Sequence, residues 1–329
     1  MKTDGFLIAM IAALVAAFAA PWLGVAGGPL HLPHVTTVGI AIVFFFHGAG
    51  LSPKALKAGA ANWRLHLVVH ATTYGLFPML GFAIFFSARS WLPEELRLGI
   101  FYLCALSSTI SSSVAMTALG RGNVAGAAFD ATVSGLLGMV LTPLLVGLVA
   151  SSVTHPLPLG PAIVDIMQKL LLPFAIGQMA RPLFHAFISR HKLWVTRADR
   201  VVIILIVYGA FCDATAARIW SRYEPRLIAE IAFVAAALLA TALTVTIFSS
   251  RAMGLSRSDE VAAVFCGSKK SLANGGPMAS VLFGASPTLG VILLPLMLYH
   301  QLQLVVCSVL ARWYANGSEE HVNARCDGV

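Results

Sequence analysis

Apolar segments of about twenty residues recur ten times along this chain, each long enough to cross a hydrocarbon layer as a helix. The pattern predicts spans at 6–23, 35–51, 65–86, 98–119, 124–149, 163–187, 201–219, 227–249, 260–281 and 287–313. Lipid offers no partner for a backbone N–H or C=O, so each segment must satisfy its own, which a helix does. Of the 329 residues 58% are hydrophobic and 11% charged, too little charge to cover a water-soluble body of this size. The net charge of +8 does not point to nucleic acid, because the basic residues stand mostly in short connections where they set orientation. The five cysteines show no paired spacing and four have apolar neighbours; they read as small buried residues, not disulfides or a metal site.

With the N-terminus in the cytoplasm, the inner connections hold Lys54, Lys57, Arg64, Arg121, the cluster from Arg181 to Arg200, Arg251 and Arg257. The outer ones hold Arg89, Arg97, Arg218, Arg222 and Arg226, partly offset by acids. Ten spans then return the C-terminus to the cytoplasm. Lys2 and the apolar run ending in Ala17-Phe18-Ala19-Ala20 have the outline of a signal peptide, but a repeat of five spans needs this segment as a retained helix.

Five spans per half is an odd number, so two repeats (1–151 and 152–313, with 314–329 as a polar cytoplasmic tail) must be inverted relative to one another. FHGAG (46–50) is echoed by YGAFC (208–212), and GMVLTPLLV (138–146) by GVILLPLML (290–298). The fourth and ninth spans are the decisive pair. The fourth contains Ser107-Ser108-Thr109-Ile110-Ser111-Ser112-Ser113, and the ninth Gly267-Ser268-Lys269-Lys270-Ser271 followed by Asn274-Gly275-Gly276-Pro277. Hydroxyls compete for backbone groups, and Gly and Pro interrupt helices. Two interrupted helices at matching places in inverted halves point to a transport site. Half-helix N-termini there attract anions, and freed carbonyls attract cations.

FFFHGAGLS (44–52), ISSSVAMTALGRGN (110–123), VYGAFCDA (207–214) and FCGSKKSLANGGPM (265–278) make the chain resemble the bile acid:sodium symporter superfamily, and within it the SBF-like branch. The resemblance runs from Asp4 to about Trp313. It implies an all-α ten-helix fold of two inverted repeats, with a panel of helices 1, 2, 6 and 7 and a core of helices 3–5 and 8–10 in which the broken fourth and ninth cross. It also implies alternating access. In the sodium-coupled branch two sodium ions sit beside the crossing, held by hydroxyls and an amide of helices four and five and by acidic and amide groups of helices three and nine. Here Ser111, Ser112 and Ser113 supply the helix-four hydroxyls and Thr132 or Ser134 those of helix five, so a sodium ion falls to Ser112, Ser113 and Ser134. The stretch 265–271 holds no Glu or Gln, and Lys269 and Lys270 stand instead. His70 or Thr73 lies near the helix-three position.

An ammonium with three donors can satisfy carbonyls and hydroxyls as a metal cation does. Lys270, or Lys269, is therefore expected in the seat of a sodium ion, beside an anionic substrate; the bland alternative has one lysine snorkelling or both facing a vestibule. Asp130, the only acid within the first five spans, needs a partner or a proton at mid-membrane; Lys270 is a candidate, and such a pair could couple transport to protons. Ser268, Ser271 and Asn274 complete the candidate binding set. The expected function is secondary transport of a small organic anion across a bacterial inner membrane, with sodium or a proton as the coupling ion, by a monomer or homodimer. A sodium-coupled bile-acid-type symporter and a non-transporting sensor are the alternatives. Ser271 beside Lys270 does not make a hydrolase, since adjacent helical residues point about 100° apart.

Overall fold

The protein is described by a computed structural model over residues 5–51, 59–150, 159–224, 226–284 and 286–326. Among the described residues there is no strand. The helices used below are α1 (Gly5–Ala19), α2 (Leu32–Gly50), α3 (Trp63–Ala71), α4 (Phe77–Ser87), α5 (Glu94–Ala105), α6 (Ser111–Leu119), α7 (Val124–Ala150), α8 (Leu159–Ile166), α9 (Leu172–Met179), α10 (Arg181–Arg190), α11 (Lys192–Ala216), α12 (Arg226–Ala252), α13 (Arg257–Gly267), α14 (Leu272–Phe283) and α15 (Leu289–Cys326).

Five helical segments are long and apolar enough to cross a membrane on their own: Leu32–Gly50, Trp63–Ser90, Val124–Val149, Arg226–Ala252 and Leu289–Asn316. A sixth follows if Ile163–Met179 and Arg181–Arg190, bent by 95°, count as one. The other expected segments are helical but short, divided or charged. α1 has 15 residues. The fourth and ninth are split into α5 with α6 and α13 with α14. α11 starts at Lys192, before the expected 201, and takes in Arg197, Asp199 and Arg200. Three further expectations shift or fall outside view. The sixth segment is not one rod, because Ala180 ends α9 and Pro182, which has no N–H to donate, sits in the first turn of α10. The last helix does not stop at Trp313 but continues to Cys326, through most of the polar segment that follows the expected tenth span. The proposed repeat junction at 151/152, and Lys54 and Lys57, lie outside the described residues.

Local chemistry sets the ends of these helices. Asn62 caps α3 by accepting from the Leu65 N–H at 3.3 Å, and Ser256 caps α13 by accepting from Asp259 N–H at 3.2 Å. Asp259 and Glu260 in the first turn of α13 suit its positive end. Between α3 and α4 the chain forms a π turn, Thr72–Leu76, in which the Phe77 N–H reaches back to the Thr72 carbonyl. The next residue is Pro78, which has no N–H, so the Thr73 carbonyl loses its helical donor. That orphan reappears at the site.

α1, α9, α10 and α11 pack with α2 or with one another, while α3 to α7 and α12 to α15 pack among themselves. The first group meets the second where α11 touches α14 and α15 and where α8 touches α14 and α7. Within the first group, α2 and α9 cross in near backbone contact. A Cβ on Gly48 would lie 2.0 Å from the Phe174 carbonyl oxygen, and one on Gly177 2.0 Å from that of Phe45. At one end of the second group Glu260 accepts from Arg251 at 3.1 and 3.3 Å and from the Tyr314 hydroxyl at 2.7 Å, tying α12, α13 and α15. Glu260→Ala is expected to raise amide exchange about 10-fold at the ends of these three helices while leaving α2 and α9 unchanged, as read by hydrogen–deuterium exchange.

Candidate functional site

α5 ends at Ala105 and α6 begins at Ser111; α13 ends at Gly267 and α14 begins at Ser271 as its cap. The two interruptions lie against each other: the Ser271 N–H donates to the Ser107 carbonyl at 3.0 Å, and Asn274 Nδ2 donates to Ser107 Oγ at 3.2 Å. Each break frees the carbonyls of the helix before it and the N–H groups of the helix after it.

The freed carbonyls explain Lys270. Its side chain is fully buried, and Nζ donates to Thr73 O at 3.1 Å, Cys104 O at 2.9 Å and Leu106 O at 2.7 Å. Two of these are the loose end of α5, where a cation also suits the negative pole of the helix. The third is the carbonyl orphaned by Pro78. The Phe77 ring lies 4.0 Å from Nζ, so a π face completes the surround. The backbone of Lys270 is clamped by Gln303, which accepts from its N–H at 2.8 Å and donates to its carbonyl at 2.9 Å. Thr142 donates to Ala105 O at 2.8 Å and Tyr299 to Ser268 O at 2.5 Å, so other freed carbonyls are also capped.

Lys269, equally buried, reaches across the crossing to Ser112 O at 2.9 Å. Ser113 donates to Phe265 O at 2.9 Å, a second tie between α6 and α13. Ser134 accepts from the Ser108 N–H at 3.0 Å, and its carbonyl accepts from Tyr74 OH. Ser134→Ala leaves that buried N–H unpaired and is expected to cost about 1–2 kcal/mol, measured by thermal unfolding of the purified protein.

Thr73, Ser112, Ser113, Ser134, Ser268, Lys269, Lys270, Ser271 and Asn274 thus gather at the crossing. Thr73 enters through its carbonyl, and Ser268 by donating to Val264 O and accepting from Tyr299 on its carbonyl. Ser111 is exposed and lines the smaller cavity described below. Thr132 bonds within its own helix, to Ala128 O, and lines the larger cavity. Asp130 and His70 stand apart. Asp130 is fully buried but does not meet Lys270; its Oδ1 lies 2.8 Å from His66 Nδ1 and 3.4 Å from His70 Nε2. The expected Asp130–Lys270 pair is therefore replaced by a carboxylate–histidine cluster, because Lys270 is already saturated by carbonyls. Gln303, Tyr74, Tyr299 and His66 were not singled out from the sequence as ligands. Their signal was polarity inside apolar spans, and for His66 the four-residue spacing to His70.

Two cavities open beside the crossing, between the two helix groups. One of about 140 Å³ is lined by Thr109, Ser111, Ser112, Ser271 and Asn274 from the breaks, with His300 of α15 on the same side and His47, Asp199 and Arg200 opposite. Another, of about 340 Å³, is mainly apolar (Phe46, Met139 and Phe174 among others) and shares His47, Ile110 and Asn274 with the first.

A sequence model of the family described as SBF-like CPA transporter matches residues 4–316. Among relatives, the chain is 43% identical over 317 residues to Pseudomonas aeruginosa PA2026, covering 96% of this chain and 94% of that one. It is 43% identical over 290 residues to Escherichia coli (strain K12) YfeH, a symporter by its provisional name, covering 87% and 86%. It is 31% identical over 315 residues to the Xenopus laevis sodium/bile acid cotransporter 7-B, covering 94% and 91%.

Proposed function

The chain belongs to the SBF-like CPA transporter family, and from that premise we propose a secondary transporter that carries a small organic anion by alternating access. The observation that carries this reading is the meeting of two half-helix starts on one cavity. α6 and α14 both begin at a break, and Ser111, Ser112, Ser271 and Asn274 from those beginnings line the same pocket. The positive poles of two half-helices then act on one small volume. Lys269 and Lys270 lie behind it, and among the described residues neither touches a carboxylate. Asp199 on the facing wall is offset by its neighbour Arg200, so the half-helix poles and the two lysines leave the pocket net positive, which in a low-dielectric setting favours an anion. The adjoining apolar cavity suits the carbon skeleton of an organic one.

In this reading Lys270 takes the place of a bound sodium ion, since its three carbonyl acceptors form a cation's coordination set. The chain would make ten spans in an inner membrane, with each divided pair counted as one, in two inverted repeats with both termini cytoplasmic. α1, α2, α8 to α10 and α11 would form the panel, and the remaining helices the moving core. The separate packing of the two groups and the shared cavities between them support that division.

The test has two steps. Organic anions are screened for stabilisation of the purified protein with and without sodium, and the best is taken into counterflow in proteoliposomes. Stabilisation and exchange that ignore sodium are the expected result. A sodium requirement would remove the lysine-for-sodium reading, and failure of every anion to bind or exchange would remove transport of an organic anion.

A further inference from the structure

A second polar cluster lies away from the crossing. Asp130 on α7 is fully buried, with Oδ1 against His66 and His70 of α3 at 2.8 and 3.4 Å. The two histidine side chains are 14% and 21% exposed. Among the described residues Asp130 Oδ2 and both ring nitrogens of His70 have no hydrogen-bond partner, and the far side of the His66 ring faces the backbone of Gly59 and Ala60. Helix geometry puts His66 and His70 on one face of α3, and Tyr74 follows in the π turn. The His70 ring stacks along Tyr74, with centroids 6.4 Å apart and planes 11° apart. The Tyr74 hydroxyl donates to the Ser134 carbonyl, and Ser134 Oγ holds the Ser108 N–H inside the first break. Ser134 is also one helical turn beyond Asp130 on α7. Two short routes, one along each helix, therefore run from the cluster to the same serine at the crossing.

The other ionisable groups nearby are engaged elsewhere. From α13, the Cys266 thiol donates to Ala127 O at 3.5 Å and Lys269 donates to Ser112 O. Arg64, at the start of α3, turns to Met253 O. α12 also packs on α3, and its charged residue at this end, Arg251, is held by Glu260. α6, packed on α7, has no ionisable side chain, and on α5, also against α7, the Tyr102 hydroxyl goes to Gly275 O. Among the described residues the carboxylate thus has two imidazoles as its ion-pair partners, with the buried Cys266 thiol also within electrostatic reach. A lone carboxylate in such a place is expensive to keep charged, whereas an imidazolium beside it forms a pair with no net charge.

Building on the transport reading above, we propose that Asp130 with His66 and His70 binds the driving proton of the cycle, and that its loading is relayed to the helix break through Tyr74 and Ser134. Taking up one proton converts a carboxylate between two neutral imidazoles into a carboxylate–imidazolium pair. Releasing it restores a bare negative charge that the core must re-solvate. Sodium has no role at this cluster.

Two measurements test this without a known substrate. Infrared difference spectra of the reconstituted protein between about pH 5 and pH 8, the range in which histidine changes charge, should show imidazole and carboxylate bands that vanish in Asp130→Asn and shrink in His66→Gln. Ser111→Cys in a Cys326→Ser background places a thiol on the small cavity. A membrane-impermeant maleimide attacks the thiolate, whose fraction rises steeply with pH, so labelling is normalised to that of the same thiol in the unfolded chain at each pH. The normalised rate should change about 5-fold or more across that range, and not in Asp130→Asn, Asn being nearly the same shape. His66→Gln and His70→Gln give the same answer should Asp130→Asn not fold. Bands or labelling unchanged between wild type and variants overturn the proposal, and so does an equal response to sodium at constant pH. The transport reading fails on a different result: absence of counterflow, whatever the infrared bands do.

Discussion

Lys270→Met is expected to lower stability by about 3 kcal/mol and to cut uptake about 100-fold. Methionine nearly matches the stem in volume, so packing changes little, but three carbonyls lose their donor. An unpaired buried carbonyl costs about 1–3 kcal/mol, and removing a buried ammonium gives back part of that by ending its desolvation. The carbonyls win in this balance because they belong to a helix end and a proline-flanked π turn, neither of which can find another donor. Thermal unfolding reads the first number. Counterflow with an anion found by the stability screen reads the second. Lys269→Met removes a single hydrogen bond and should cost about 1 kcal/mol, so equal losses in the two variants would refute the distinction drawn between them.

The second large effect is expected at the crossing of α2 and α9. Gly48→Ala places a methyl 2.0 Å from the Phe174 oxygen, and Gly177→Ala does the same at Phe45. Neither acceptor is a flexible side chain, so the helices must separate along their whole contact. Close packing through small residues is a main source of helix association in lipid, where burial of apolar surface gives little. Each variant should lose about 3 kcal/mol, and the double variant should fail to yield monodisperse protein in detergent, seen by size-exclusion chromatography. Gly75 and Gly276 meet nothing within 4 Å where a Cβ would stand, and alanine there serves as the contrasting control.

The breaks were legible because serine runs, glycines and a proline inside apolar segments leave few alternatives. Lys270 was legible as a buried cation for the same reason. Its acceptors were not, since a carbonyl leaves no trace in the residue name; only Pro78, read with the π turn before it, marks Thr73 as open. Asp130 was visible as a lone acid, yet its partner depends on which helix lies beside α7, and α3 brings histidines there while Lys270 is held elsewhere. Gln303 was hidden in a polar patch of the last span, with His300 and Gln301 as equal candidates. The bend at Ala180 was foreshadowed by Pro182, but a mid-span proline is tolerated by α7 at Pro143 and α15 at Pro295, so sequence alone did not choose between a kink and a right-angle turn.

The hydrogen bonds of the Lys270 ammonium all go to peptide oxygens. Thr73, Cys104 and Leu106 can therefore drift to other residues of fitting bulk while the ammonium keeps every acceptor. In a saturation library, position 270 should tolerate almost nothing, and its three partners should look like ordinary packing positions. Surveys that infer ion or substrate sites from co-varying side chains would pass over this seat, and its history is better traced through the proline at 78 that sets one of those oxygens free.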